Sequence, residues 1–98
     1  MNAVDLSKEL RRAVETGKVN FGFESTQKNL LQGKAKAIIF AKNIPLQKKE
    51  KIIIYCKKAE IKQIEFAGNS VELGKVCGKQ FNISCLSILE QGNSKILE

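Results

Sequence analysis

The chain has 98 residues, with 17 Lys and Arg against 10 Asp and Glu, no histidine and a net charge of +7. That is one domain with one core, and its 43% apolar content with six aromatic residues and no tryptophan makes the core aliphatic. No run reaches the roughly 18 apolar residues of a membrane span, and Met1–Asp5 lack the basic flank and apolar stretch of a signal peptide, which favours a cytosolic protein.

Leu6, Leu10, Ala13 and Val14 recur at helical spacing, predicting a first helix capped by Asp5 and ended at Gly17. Lys18 to Phe21 reads as a short strand closed by Gly22. Ser25 is placed to cap a second helix that runs to Gln32, with Gly33 as its stop. Ala35 to Lys42 holds the run Ala37-Ile38-Ile39-Phe40-Ala41, whose lack of alternation predicts a central strand covered on both faces. Strand, helix and buried strand form a βαβ unit, whose strands run parallel.

Asn43-Ile44-Pro45 is a turn ahead of a third helix over about Gln47 to Ala59, with Ile52, Tyr55, Cys56 and Ala59 as its buried stripe. Ile61 to Phe66 follows as a third strand, with Ile64 and Phe66 on one face and a break at Gly68. Asn69-Ser70-Val71-Glu72 fits a capping box opening a fourth helix that ends at Gly78. Phe81 to Leu89 reads as a fourth strand, because Phe81, Ile83 and Cys85 alternate with Asn82 and Ser84. After a turn at Glu90–Asn93, Ser94 to Leu97 is a candidate fifth strand. This alternation predicts an α/β fold, a three-layer α/β/α sandwich over a small mixed sheet of four to five strands. There are no repeats, linkers or low-complexity tracts.

Cys56, Cys77 and Cys85 form no C-x-x-C pair and have no histidine for company, so they read as buried apolar residues in a reducing compartment. Neither a disulfide framework nor a metal site is indicated. The charge is uneven: ten lysines and two acids, Glu50 and Glu60, lie between Lys28 and Lys62. This is either a solvated surface or a face that attracts nucleic acid.

Ligands of open α/β sheets bind beyond the carboxyl ends of parallel strands. The first two strands end at Gly22 and Asn43. If the fourth runs antiparallel to them, its start near Phe81 falls on the same edge, and three distant segments meet on one rim. Gly22-Phe23-Glu24-Ser25-Thr26 would offer close backbone approach, a hydroxyl and a helix N-terminus welcoming to phosphate; its plainer reading is a strand-to-helix turn with a serine cap. Asn43 carries a donor and an acceptor suited to a base edge, or is a turn residue or cap. Phe81 would stack under an unpaired base, or fill the core. In the stretch from Leu73 through Lys79 that leads to Phe81, Gly74 and Gly78 bracket Lys75-Val76-Cys77; the plainer reading is a short helix with its stop signal. Both glycine fingerprints for nucleotide binding are missing, and the serines, cysteines and carboxylates show no catalytic pairing. The three segments suit a folded RNA better than a small substrate.

Thr16-Gly17-Lys18, Leu31-Gln32-Gly33-Lys34-Ala35-Lys36, Val71-Glu72-Leu73-Gly74, Gly78-Lys79 and Ser87-Ile88-Leu89-Glu90 keep an order and spacing that covers nearly the whole chain. In these the chain resembles the archaeal and eukaryotic large-subunit ribosomal protein L-thirty-e family, of the kink-turn RNA binders related to ribosomal protein L-seven-Ae. The resemblance implies an α/β/α domain without enzymatic activity or cofactor, a structural part of the large subunit. Its implied partners are a kink-turn in ribosomal RNA and other ribosomal components, with no membrane, and its implied place is the cytoplasmic ribosome, with a monomer when free. It implies that Gly22 sits against the RNA backbone, Asn43 bonds a base edge and Phe81 stacks on a splayed base, while Leu73, Gly74 and Gly78 shape the last loop. Where eukaryotic members carry lysine, this chain has Glu24, which repels phosphate and can only accept a hydrogen bond; Lys28, one turn on, is placed to restore the charge. Two other readings stay open: a kink-turn binder of RNA-modification guide particles or of a regulatory RNA, and a small α/β enzyme or metabolite-binding domain.

Overall fold

Ala37-Ile38-Ile39-Phe40 contains no residue that gains by facing water, and the fold buries all four. The computed structural model describes residues 3–97; Met1 and Asn2, part of the stretch read above for a targeting signal, lie outside the described residues. The elements are α1 (Ala3–Thr16), β1 (Lys18–Phe21), α2 (Phe23–Leu31), β2 (Ala37–Phe40), α3 (Leu46–Ala59), β3 (Lys62–Glu65), α4 (Ser70–Val76) and β4 (Cys85–Glu90). The sheet runs in the order β1-β4-β2-β3. β2 pairs with β3 in parallel, whereas β4 is antiparallel to both β1 and β2. β1 and β2 therefore point the same way, as the βαβ reading expects, but β4 is inserted between them.

Because side chains alternate along a strand, β2 feeds two cores. Ala37 and Ile39 join Leu6, Leu10 and Ala13 of α1, Leu73 of α4 and Cys77 just after it. Ile38 and Phe40 join Leu30 of α2 and Ile52 and Cys56 of α3. Helices on both faces of one mixed sheet give the expected three-layer α/β/α sandwich. Each of these fully buried Leu and Ile side chains contributes about 1.5–3 kcal/mol. One polar pair crosses the second core: Asn29 Nδ2 donates to Ser87 Oγ at 2.8 Å, joining α2 to β4 where both are buried.

Several boundaries differ from the sequence reading. Asp5 lies inside the first turn of α1 rather than at its cap. Ser25 lies inside α2, whose N-cap is Gly22 with no side-chain cap bond. α3 begins at Leu46, and its buried residues are Ile52 and Cys56, with Tyr55 half-buried and Ala59, the last residue of the helix, exposed. β4 starts at Cys85, not Phe81, since the partners of Cys85 and Leu86 are the last residues of β2 and β1, Phe40 and Phe21. Among the described residues no strand extends far enough to pair with Phe81–Ser84. Among the described residues there is no fifth strand: the amides of Lys95 and Leu97 donate instead to the side chains of Glu9, at 2.7 Å, and Gln91, at 3.2 Å. All three cysteines are free and buried.

Candidate nucleic-acid interface

Hydrogen bonds tie four segments together at one end of the sheet. Gly22 N–H donates to the Cys85 carbonyl at 2.9 Å, Ala41 N–H to Ser84 at 2.8 Å, and Ile83 N–H to Ser70 at 3.0 Å. Ser70 N–H in turn donates to Asn43 Oδ1 at 2.8 Å. The ends of β1 and β2, the approach to β4 and the start of α4 thus form one rim. The antiparallel direction of β4, which the sequence left open, is what brings the last segment to this edge.

Gly22 has φ 97° and ψ 159°, a conformation accessible almost only to glycine, and a Cβ placed there would meet nothing within 4 Å. The backbone is therefore bare toward solvent at this point. The first intrahelical bond of α2 runs from Thr26 N–H to the Gly22 carbonyl at 3.0 Å. The amides of residues 23–25 have no acceptor within the helix and carry its positive end. Phe21, Gly22, Phe23, Glu24, Ser25 and Lys48 line a shallow cleft of about 450 Å³ in front of them. Glu24 is exposed and Ser25 half-buried. Lys48 Nζ stands 5.4 Å from the centre of the Phe23 ring, near enough for a cation–π contact.

Thr26 is fully buried, so it cannot touch a ligand from this position. Its hydroxyl has no hydrogen-bond partner among the described residues. Burial pushes the pKa of the Cys85 thiol up, and the Thr26 hydroxyl and the Lys48 charge act in the opposite sense. Thr26 supports the rim from beneath. Lys28, also on α2, is exposed.

The α4–β4 segment is held by its own capping box, with Glu72 N–H donating to Asn69 Oδ1 at 3.0 Å and Asn69 N–H to Glu72 Oε1 at 3.5 Å. Leu73 is fully buried and anchors α4 in the first core. Gly74 is buried too, because any Cβ there would run into the Phe81 carbonyl oxygen. Gly78, at φ 74°, turns the chain out of the helix. Lys79 N–H donates back to the Gly74 carbonyl at 2.9 Å. This packing lifts Phe81 outward: it is 57% exposed, so it is not a core residue. Its ring meets Phe21 edge-on at 6.5 Å, and Lys79 Nζ lies 5.2 Å from the Phe21 ring centre.

Asn43 reaches across to the start of α4, where its Oδ1 accepts from Ser70 N–H, and it makes no cap bond to α3. A backbone N–H must meet an oxygen, so the Ser70 bond fixes the amide's orientation. Nδ2 then donates to Ser70 Oγ at a long 3.4 Å, and its second hydrogen has no partner among the described residues. Phe21, which braces Phe81, and Lys48, at the mouth of the cleft, were not singled out from sequence. Phe21 is half of a ring pair visible only in three dimensions, and Lys48 is one lysine among many. Among the described residues, no group of three or more His, Cys, Asp or Glu is placed to hold a metal ion.

Comparison with known proteins adds an independent finding. The model of the ribosomal protein L7Ae/L30e/S12e/Gadd45 family matches residues 5–98. The chain is similar to the large ribosomal subunit protein eL30 of Methanothermobacter thermautotrophicus, 44% identical over 95 residues that cover 97% of each chain. It is 41% identical over 95 residues to the protein of the same name from Pyrobaculum neutrophilum, covering 97% of this chain and 94% of that one. For eL30 of Candida albicans the identity is 38% over 96 residues, covering 98% and 91%.

Proposed function

The chain belongs to the ribosomal protein L7Ae/L30e/S12e/Gadd45 family, and on that premise we propose that its rim grips a kink-turn of ribosomal RNA. It is a structural constituent of the large ribosomal subunit rather than an enzyme, and its partners are ribosomal RNA and other ribosomal components. In the proposed complex the bare backbone at Gly22 and the open amides of α2 receive the bent phosphate backbone. The free N–H of Asn43 reads a base edge. Phe81 stacks beneath an unpaired base, with Lys79 beside it. Leu73, Gly74 and Gly78 hold the last loop in shape, and Thr26 supports α2. Glu24 accepts a hydrogen bond from a base amino group, Phe23 and Ser25 line the cleft beside it, and Lys28 supplies positive charge one turn further on. Before assembly the protein is a cytoplasmic monomer.

The observation that carries this reading is the exposed Phe81 ring, held by Phe21 on the same rim as an uncapped, glycine-headed helix. A ring displayed beside phosphate-ready amides suits a strand whose bases are splayed from its backbone. The test is competition between a kink-turn RNA and the same strands with the internal loop replaced by paired bases. Preference for the kink-turn supports the reading; equal binding of the two RNAs sinks it.

A further inference from the structure

A second cleft, of about 530 Å³, leads away from the rim along the flank of α2. Ser25 lines both clefts, so the two surfaces are continuous. Lys28 stands in its wall, and Lys18, Lys34 and Lys36 gather around the far end. All four lysines are exposed, and none takes part in an ion pair among the described residues. Glu90 is the one acid in the lining.

Four unpaired cations facing one carboxylate form a positive channel. They are drawn from three places in the chain: the start of β1, the last turn of α2, and the segment between α2 and β2. A metabolite site would call for mostly apolar walls with a few convergent polar groups. This lining has no aromatic ring. What it suits is a row of phosphates, for which lysine is a point-charge partner.

We infer that this channel holds the phosphodiester backbone of RNA that continues beyond the kink, as a second contact separate from the rim. The inference rests on the rim reading, because the rim fixes where the strand enters. α2 has nine residues, a length of about 14 Å at ~1.5 Å per residue. That spans about four phosphates at the ~3.4 Å axial spacing of one duplex strand. Lys18, Lys34 and Lys36 then act only on RNA long enough to reach them.

The test uses the full chain and two RNAs, a minimal kink-turn and the same kink-turn with an extended flanking stem. In the variant Lys18→Gln/Lys34→Gln/Lys36→Gln, the minimal RNA binds as in wild type. On the extended RNA, the slope of log K against log salt becomes shallower by about 2 to 3, at roughly 0.7–0.9 for each phosphate left without its lysine. The corresponding arginine triple variant keeps the wild-type slope. Glu90→Gln tightens binding of the extended RNA, a gain that mere damage to the fold would not produce. Equal slopes for wild type and the glutamine variant on the extended RNA overturn the inference. So does loss of binding to an acidic peptide with RNA binding intact, which would make the channel a protein-docking site. Phe81→Ala run alongside separates the two readings: unimpaired binding of the minimal RNA by that variant indicts the rim, not the channel.

Discussion

The two ends of the sheet are both clusters of turns, yet they spend their polar groups differently. At the end away from the rim, Thr16 Oγ1 donates to the Arg12 carbonyl and accepts from Asn93 N–H at 2.9 Å. Ser94 Oγ donates to the Gln91 carbonyl at 2.6 Å, and the Glu9 carboxylate accepts from Lys95 N–H at 2.7 Å. These bonds lie within the protein and clasp the C-terminal segment to α1. At the rim the bonds between segments are somewhat longer, and they are mostly backbone bonds. They leave the first amides of α2, one hydrogen of Asn43 and the face of Phe81 without a partner among the described residues. A clasp satisfies its groups internally, whereas a site fixes its spacing with backbone and leaves selected groups open.

The contrast is sharpest at Gly17, in the clasp. A methyl group there would overlap the Glu90 carbonyl oxygen and crowd the backbone of Gln91 and Gly92, none of which can swing aside. Gly17→Ala should cost about 3 kcal/mol in unfolding free energy, read from urea denaturation, while the folded protein keeps its RNA affinity. Weaker RNA binding by folded Gly17→Ala would show that the two ends are not independent.

Phe81→Ala tests the other end. RNA affinity should fall by about 1–3 kcal/mol in a titration, while stability stays within about 0.5 kcal/mol of wild type, as for an exposed side chain. A large loss of stability would mean that the ring serves the fold.

Asn43 allows a finer division. Asn43→Ala removes the acceptor for Ser70 N–H and should destabilise by about 1 kcal/mol. Asn43→Asp keeps that acceptor at a helix N-terminus, so stability should hold while RNA binding weakens by about 1 kcal/mol. If the aspartate variant binds RNA like wild type, the amide only supports the turn.

A last effect is a pH dependence, confined to alkaline solution. Burial pushes the Cys77 thiol from its ordinary 9.0 up to about 11, against an opposing pull from Lys79. The unfolded thiol ionises first, so this contribution is complete below about pH 9 and is lost as pH rises toward 11. Urea midpoints measured on either side of this range should fall less in Cys77→Ala than in wild type.

Much of the architecture was legible because it rests on local chemistry. The unbroken apolar run of β2 announced a central strand, and Asn69 to Glu72 announced a cap that the structure forms in full. The errors arose where a local signal lacked a tertiary partner. Alternation through Phe81, Ile83 and Cys85 reads as strand, but no neighbouring strand reaches Phe81. Ser94 to Leu97 has strand-like residues, yet the side chains of Glu9 and Gln91 take its amides. Ser25 is a good cap by composition, but the conformation of Gly22 starts the helix before it. At the candidate site the residue types could be read, and their convergence could not, since it turned on the direction of β4. Burial was less visible: only the helical spacing from Thr26 to Leu30 sets sealed Thr26 apart from open Glu24, and it shows only once the start of α2 is known.

The vacant space above Gly22 has a consequence of its own. The tightest proposed approach of RNA occurs where the protein has no functional group to protonate, oxidise or phosphorylate, and the chain has no histidine elsewhere to sense mild acid. At Gly22 itself, then, side-chain chemistry can neither make nor break the proposed contact; only the neighbours Glu24 and Ser25 could.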